Sequence, residues 1–366
     1  MIDRRVMQQL EPALAARGLT IGYRSGKGQR KTVRSGIDLT LYRGELASLI
    51  GLNGAGKSTL IRTLCRFQPS FGGEISVMGK DIYRYSTHEL ALTVGVVLTD
   101  RTNAGGLTVR ELVALGRQPH TGFFGRLSEE DVRVVTDALA AVGISHKADS
   151  YVSELSDGER QRVMIAKALA QECPVIVLDE PTAFLDVTGR MDIMSLLHET
   201  ARKQNKAVLL STHDMDNALM FSDRILLLHS SVPGPAACCL SDVSEPAGTV
   251  VSGSPEDLVL DGSLSRFFNS RGMDFDCRTG HLSTGISGPQ VGVDGDSLTV
   301  RWMANALARN GFTPVLPNSG IPCIRCISPT SIEVSFPASK EVTSVSCISQ
   351  AIRYLIHTDR ETWSGG

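Results

Sequence analysis

A nine-residue segment constrains the fold of this chain more than any other: Gly51-Leu52-Asn53-Gly54-Ala55-Gly56-Lys57-Ser58-Thr59. A strand-like run, residues 45–50, leads into it, and a helix-like run, residues 59–64, leads out. Glycines let the backbone form a concave nest of N–H groups at a helix N-terminus, where anions are favoured. The segment therefore predicts a P-loop, in which Lys57 reaches the β- and γ-phosphates of a nucleotide and the Ser58 hydroxyl is a ligand of Mg²⁺.

Composition limits what else the chain can be. Its 366 residues allow two domains, or one large domain with an appendage. It has no apolar run of about 18 residues, and its first residues carry charges of both signs, so we expect neither a membrane span nor a signal peptide. These features favour a cytosolic protein. Lys plus Arg number 37 against 39 Asp plus Glu, which gives no indication of a nucleic-acid partner.

Strand patterns surround the P-loop. Residues 19–23 and 36–41 precede it and residues 71–77 and 93–98 follow it. Tyr23 ends the first of these runs, where its ring could stack on a purine base. A half-buried strand tyrosine is the alternative. Apolar residues at helical spacing in residues 107–145 then predict a helical insert within an α/β core.

Polar side chains end two later strand-like runs. A continuous apolar run, residues 174–178, ends in Asp179 and Glu180, and residues 206–210 lead to Ser211-Thr212-His213-Asp214. In a doubly wound sheet, ligands gather at the carboxyl ends of the strands. We therefore expect Asp179 to hold Mg²⁺ through water, Glu180 to orient or deprotonate the attacking water, and His213 to contact the γ-phosphate.

One more motif lies at the start of a predicted helix: Leu155-Ser156-Asp157-Gly158-Glu159-Arg160-Gln161. It presents N–H groups and a hydroxyl at a helix N-terminus, which suits an anion. An ordinary N-cap explains the same pattern equally well.

In this order and spacing, the motifs over about residues 15–275 resemble the ATP-binding subunit of an ABC transporter. The resemblance implies an α/β fold, a P-loop ABC ATPase core with a mixed sheet, helices on both faces, an N-terminal antiparallel β subdomain and a helical subdomain at about residues 100–158. It also implies a head-to-tail dimer, in which Ser156 and Gly158 of one copy close over ATP on the P-loop of the other. In that family Tyr23 would stack on the base, Glu180 would be the catalytic carboxylate, Asp186 would lie in the loop that crosses the dimer interface, and His213 would be the switch histidine.

Two positions depart from the family pattern. Asp157 adds a carboxylate near a phosphate site, so we expect its side chain to face away. The glutamine expected after the strand at residues 93–98 is absent, and Thr99-Asp100 stands in its place. In the family that glutamine touches Mg²⁺ and links hydrolysis to the permease. Asp100 or Thr99 could supply an oxygen ligand to the cation instead.

Residues 107–117 and 119–122 resemble the importer branch for iron-siderophores, haem and cobalamin. The resemblance implies ATP and Mg²⁺ as cofactors, transmembrane permease subunits and, indirectly, a periplasmic or surface substrate-binding protein as partners. It places the chain in the cytoplasm, peripherally on the inner face of the cell membrane. Three alternatives remain: an importer ATPase for another substrate, a non-transport ABC ATPase, and a binding module that has lost hydrolysis.

The remainder of the chain is less informative. Residues 229–248 indicate an enlarged loop and residues 276–290 a linker between a nucleotide-binding domain, residues 1–275, and a small α+β domain, residues 291–366. In the latter we expect strands at residues 297–301, 323–328 and 331–336 and helices at residues 302–310 and 342–357. A dimerisation or regulatory role is the mildest hypothesis for this domain.

Overall fold

The computed structural model describes residues 12–24, 30–99, 106–122, 125–228, 250–269, 273–277, 281–284, 288–337 and 342–358. The predicted loop at residues 229–248 lies outside these ranges. The chain divides into two compact units, residues 1–282 and residues 283–366. No helix among the described residues is long and apolar enough to cross a membrane.

The strands of the first unit are β1 (Leu14–Arg24), β2 (Arg30–Leu41), β3 (Leu46–Ile50), β4 (Gly72–Val77), β5 (Lys80–Asp81), β6 (Val94–Val97), β7 (Val175–Asp179), β8 (Ala207–Thr212), β9 (Arg224–Leu228), β10 (Val250–Gly253) and β11 (Met273–Asp276). A further strand, β12 (His281–Thr284), pairs with β11. This strand lies inside the stretch that the sequence indicated as a linker.

The helices of the first unit are α1 (Lys57–Leu64), α2 (Thr87–Thr93), α3 (Val109–Ala114), α4 (Glu129–Ala141), α5 (Asp157–Ala170), α6 (Val187–Lys203), α7 (Met215–Phe221), α8 (Pro255–Leu260) and α9 (Ser263–Asn269). Several begin with a capping box, in which the side chains of the N-cap and of the third helical residue bond each other's backbone N–H groups. The N-cap residues of these boxes are Ser86, Thr108, Ser128 and Ser156.

A mixed sheet with the strand order β10-β9-β3-β8-β7-β6 forms the centre of the first unit. Its strands are parallel except β10, and every residue of β3, β7 and β8 is buried, as expected for strands covered on both faces. Ile176 and Leu178 face a core shared with α5 and α6, while Val175 and Val177 face a core shared with α1. The predicted α/β fold is confirmed.

Parallel pairing brings the ends of three strands to one edge of this sheet. Ile50 at the end of β3 is paired with Thr212 at the end of β8, and Asp179 at the end of β7 is paired with Ser211. The P-loop follows Ile50 directly. The sheet therefore assembles one site from segments that are far apart in sequence.

A second, antiparallel sheet has the order β2-β1-β4-β5 and shares the core beside α1. The pairing of β1 with β2 shifts register at three places, and one of them lies between Ile21 and Gly22. Ile21 is opposite Arg34, but the next residue, Gly22, is opposite Thr32. Val33 is thus an extra residue on β2, which is a β-bulge.

Helices α3 and α4 pack against α5 and form the helical insert that the sequence predicts. A buried side chain, Arg117, ties the insert to the core. It donates to Asp131 Oδ1 at 2.8 Å, to Glu172 Oε2 at 2.6 Å and to the Ala170 carbonyl at 2.8 Å. Its positive charge is therefore balanced by carboxylates of the chain itself.

The second unit contains β13 (Gln290–Gly295), α10 (Ser297–Arg309), β14 (Thr313–Val315), β15 (Cys323–Ser328), β16 (Ser331–Ser335), β17 (Val342–Val345) and α11 (Ile348–His357). Its sheet has the order β14-β13-β15-β16-β17, and β13 is parallel to both neighbours. Both helices contribute to one core with the sheet.

Two predictions for this unit are wrong. Residues 297–301 begin α10 rather than forming a strand, because Asp296 caps the helix by accepting from the backbone N–H of Thr299 at 2.9 Å and from its hydroxyl at 2.7 Å. The predicted helix 342–357 starts only at Ile348. Residues 342–345 pair with β16 instead, where their alternating exposure fits a strand.

Candidate functional site

The P-loop joins β3 to α1 and has the backbone that its glycines make possible. Gly54 and Gly56 have φ values of 81° and 97°, in the region that side chains disfavour. A Cβ on Gly56 would lie 2.8 Å from the Val33 side chain, so β2 packs directly behind the loop. Ala55 is buried, while Asn53 and Ser58 are exposed and Thr59 is half-buried. The loop therefore forms a cradle that fits phosphate groups.

Lys57 is the first residue of α1 and is only 6% exposed. Its Nζ donates to the Gly51 carbonyl at 2.7 Å and lies 4.0 Å from Glu180 Oε1. Burial lowers the pKa of Lys57, and the carboxylates of Glu180 and Asp179 partly offset that effect. The amine is thus held inside the loop and beside the acidic end of β7.

Asp179 ends β7 and is 1% exposed. Ser211 Oγ donates to its Oδ1 at 2.6 Å, and Thr99 Oγ1 donates to its Oδ2 at 3.1 Å. Both carboxylate oxygens therefore accept from hydroxyls, one on β8 and one just after the end of β6. Thr99 belongs to the position where the family has glutamine, whereas Asp100 lies outside the described residues.

Glu180 follows Asp179 in an unusual backbone conformation. Its φ is 50°, which is strained for a residue other than glycine, and such strain is concentrated at functional sites. Its backbone N–H donates to Ser211 Oγ at 3.0 Å. Its Oε2 lies 2.9 Å from Nδ1 of His213, whose side chain is 63% exposed. The turn thus directs the Glu180 carboxylate between Lys57 and His213.

The other predicted residues lie on separate elements. Tyr23 is 45% exposed, and the Lys31 amine is 5.6 Å from the centroid of its ring. Ser156 caps α5, where its hydroxyl donates to Glu159 Oε2 at 3.0 Å. The hydrogen bonds that the structure describes for Ser156 do not join it to the P-loop.

Gly158 lies against the loop that follows β7. A Cβ there would be 3.0 Å from the Phe184 carbonyl, so a larger residue would crowd that loop unless the loop shifted by a few tenths of an ångström. The Asp157 carboxylate is 3.5 Å from Arg160 on the same helix. Asp186 caps α6 by accepting from the Gly189 N–H at 2.8 Å.

Two contributors were missed by sequence reasoning. Ser211 bonds both Asp179 and the Glu180 backbone, and its only sequence signal was its place in a polar strand end. Arg34, on β2, is buried behind the P-loop and donates to the Ala55 carbonyl at 3.4 Å. Nothing in the local pattern of β2 marks it.

The P-loop and the end of β7 both carry side-chain oxygen atoms. The Ser58 hydroxyl is exposed and the Asp179 carboxylate is buried, and oxygen is the ligand type that Mg²⁺ prefers. The described residues contain no cluster of three or more His, Cys, Asp or Glu that could hold a metal ion alone. A cation here would therefore share its coordination with phosphate oxygens and water, as Mg²⁺ commonly does.

Four features define the class of P-loop nucleotide-binding proteins: a mostly parallel sheet, a glycine-rich cradle at a helix start, a buried lysine and two acidic residues at the carboxyl end of β7. Comparison with known proteins makes the class more specific. A family model described as ABC transporter matches residues 35–183. An uncharacterised ABC transporter ATP-binding protein of Methanocaldococcus jannaschii is 40% identical over 215 residues, which are 59% of this chain and 72% of that protein.

The ferric enterobactin transport ATP-binding protein FepC of Escherichia coli is 35% identical over 258 residues, covering 70% of this chain and 88% of that protein. A dimeric ATP-binding cassette solved in a post-hydrolysis state with ADP and Pi is similar with a TM-score of 0.53 at 28% identity, covering 59% of this chain and 94% of that chain. The chain belongs to the ABC transporter family as an ATP-binding protein, and it is an ATPase. ABC ATPase domains dimerise and work with transmembrane permease subunits.

Proposed function

We propose that this chain is the ATP-hydrolysing subunit of an importer for an iron-siderophore, haem or cobalamin. The observation that carries the catalytic part is the Glu180 carboxylate, which is 2.9 Å from His213 on one side and 4.0 Å from Lys57 on the other. A carboxylate held between an imidazole and the P-loop amine supports a role in orienting the water that attacks the terminal phosphate.

In this proposal each residue has a distinct role. The P-loop N–H groups from Gly51 to Thr59 and the Lys57 amine bind the phosphates and stabilise the charge that develops during transfer. Glu180 orients the attacking water and accepts its proton. His213 holds the Glu180 carboxylate and contacts the γ-phosphate. Tyr23, at the far end of β1, stacks on the base.

Ser58 and Asp179 would hold Mg²⁺, directly and through water respectively. A cation held there would supply positive charge that offsets part of the negative charge of the phosphate groups. Ser211 and Thr99 hydroxyls fix the Asp179 carboxylate for this role. We infer that Thr99 or Asp100 takes over from the missing glutamine.

The two candidates are compared by the steady-state ATPase activity of Asp100→Ala and of Thr99→Val. The residue whose substitution lowers turnover has the role.

The dimer is supported by exposed groups near the start of α5 and α6. Ser156 lies at the N-terminus of α5, where backbone N–H groups favour an anion. The apolar side chains of Phe184 and Val187 are 67% and 73% exposed, which suits a surface that another copy covers. In this arrangement Ser156 and Gly158 of one copy close over ATP on the P-loop of the other.

A groove on the first unit supports the permease as a partner. It has a volume of about 370 Å³ and is lined by the residues that follow α1, by α2, by β6 and by the end of α5. Phe67 borders it and is 61% exposed. Because α1 starts at the P-loop and β6 leads to Thr99, a permease segment docked in this groove would contact two elements that reach the nucleotide site.

The transported substrate is the finest part of the proposal. Its support is the motif resemblance of residues 107–117 and 119–122 and the likeness to a ferric enterobactin transport protein. A periplasmic or surface substrate-binding protein would deliver the substrate, and the chain would sit peripherally on the inner face of the membrane through its permease. Uptake of labelled ferric siderophore, haem or cobalamin by cells with and without this chain distinguishes the three.

The catalytic assignment is tested with Glu180→Gln. The variant should bind ATP like the wild type, hydrolyse it at least a hundredfold more slowly, and accumulate as an ATP-bound dimer in size-exclusion chromatography. Phe67→Asp is the matched control, because it lies in the groove and should keep both ATP binding and hydrolysis while losing the permease. Wild-type turnover by Glu180→Gln would contradict the role of Glu180.

A further inference from the structure

Arg34 is a buried cation that the proposed mechanism does not use. Its side chain is 4% exposed, and burial lowers its pKa. One guanidinium nitrogen donates to the Ala55 carbonyl at 3.4 Å, and its Nε has no hydrogen-bond partner within the described ranges. The ion pairs found among the described residues do not include Arg34. A buried charge without a counter-charge is costly, so its position calls for an explanation.

The β-bulge on β2 is what brings Arg34 to the P-loop. Because Val33 is an extra residue, the pairing shifts by one between Arg34 and Thr32. As a result two successive side chains reach the back of the loop. Val33 lies against Gly56, and Arg34 contacts Ala55. Bulges are frequent beside active sites because they redirect side chains in this way.

The contact with Ala55 has a consequence for the other side of the loop. In a planar trans peptide the carbonyl and the following N–H point in opposite directions. Since the Ala55 carbonyl points back toward Arg34, the Gly56 N–H points away from β2. Gly56 is the N-cap of α1, and the first N–H groups of a helix favour an anion. A charged donor on the carbonyl polarises the peptide and strengthens the N–H as a donor.

We propose that Arg34 is a phosphate-positioning residue of the nucleotide site: it orients and polarises the Ala55–Gly56 peptide, and the polyphosphate of the nucleotide balances its buried charge. This role rests on the nucleotide site of the proposed function. It predicts that affinity depends on Arg34 more strongly as the number of phosphates increases. It also predicts that the nucleotide-free protein does not need this charge for stability.

The test uses the full-length chain with Arg34→Met and Arg34→Lys. Binding of ATP, ADP and AMP is measured by calorimetry without Mg²⁺, so that no hydrolysis occurs. Arg34→Met should weaken ATP binding by tenfold or more, ADP by less and AMP by little, whereas Arg34→Lys should remain within about threefold of the wild type for ATP. Melting of nucleotide-free Arg34→Met should occur at or above the wild-type temperature. Arg110→Met, an exposed arginine paired with Asp149, is the control and should change neither property.

A purely structural role for Arg34 gives the opposite pattern. It predicts that Arg34→Met melts earlier and that ATP, ADP and AMP weaken by the same factor or not at all, and either binding result overturns the proposal. If Arg34→Met does not fold, Arg34→Gln is used instead, because it keeps a neutral donor to Ala55. This variant should still bind ATP at least fivefold more weakly than the wild type. Wild-type affinity in Arg34→Gln also overturns the proposal. A wild-type chain that binds ADP and ATP no better than AMP would instead overturn the nucleotide site itself.

Discussion

Two buried arginines of the first unit have opposite surroundings. Arg117, in the helical insert, is 5% exposed and donates to the carboxylates of Asp131 and Glu172. Arg34, behind the P-loop, is 4% exposed and has only a carbonyl as its described partner. In the insert the charge is balanced by the chain. Behind the P-loop the charge of Arg34 is left to be balanced by a ligand. A buried cation therefore marks a structural tie in one region and an anion site in the other.

The largest expected effect is on the balanced side. Arg117→Met should lower the free energy of unfolding by about 3–5 kcal/mol, because it leaves the buried Asp131 carboxylate without its cation. Denaturant titration measures the change. A loss below about 1 kcal/mol would mean that the ion pair contributes little, and the contrast with Arg34→Met would disappear.

The same variant sharpens the comparison through its pH dependence. Hydrogen bonds from Ser128, and then Arg117, lower the pKa of Asp131 to about 2. Its stabilising effect is therefore complete above the unfolded pKa of about 3.9 and is lost as pH falls through about 2. Without Arg117 that carboxyl should protonate at higher pH, so the difference between wild type and Arg117→Met should be constant above about pH 4 and shrink as pH falls from there to about 2. A stability difference that does not change with pH would mean that the loss in Arg117→Met comes from packing.

Lys57 is the second buried cation at the P-loop. Lys57→Met should lower the ATPase rate by about a hundredfold to a thousandfold, because it removes a charge from the transferred phosphate. Lys57 is buried, and the carboxylates of Glu180 and Asp179 offset the cost of that burial only in part. The stability of Lys57→Met should therefore be close to that of the wild type. Steady-state phosphate release and thermal melting check the two parts. A variant that unfolds instead would show that Lys57 resembles Arg117 more than Arg34.

A smaller effect is expected for the hydroxyl that orients the acidic residues. Ser211→Ala leaves the Glu180 N–H and one oxygen of Asp179 without their partner, and it should reduce stability by about 1–3 kcal/mol. The ATPase rate should fall as well. Ser211→Thr keeps the hydroxyl and should restore more of the rate than of the stability, because its extra methyl enters a buried position.

The smallest effect concerns the cap of α5. Ser156→Ala should cost about 1 kcal/mol of stability through the lost N-cap bond. Ser128→Ala removes the equivalent cap from α4 and is the matched control. Only Ser156→Ala should also weaken the ATP-dependent dimer, and an equal effect of both variants on dimerisation would contradict the proposed contact of Ser156 with the second copy.

The sequence was most informative where the chemistry is local. A P-loop depends on consecutive residues, and the buried runs of β7 and β8 are visible as apolar segments, so Lys57, Asp179 and His213 could be singled out. Pairing between strands is not visible in the same way. The bulge at Val33 and the inward position of Arg34 follow from the register of β2 against β1. The second unit was harder still to predict. The propensity of residues 297–301 favours a strand, but the cap at Asp296 starts a helix there.

The bulge at Val33 also limits how well β2 can tolerate the insertion or deletion of a residue. β2 carries Lys31, beside the Tyr23 ring, and Arg34, beside Ala55, three residues or roughly 10 Å apart along the strand. Its register thus sets the spacing between the base end and the phosphate end of the proposed nucleotide site. A one-residue deletion here would change that spacing and turn one of the two side chains to the opposite face. We expect this strand to tolerate substitution at exposed positions but not insertion or deletion.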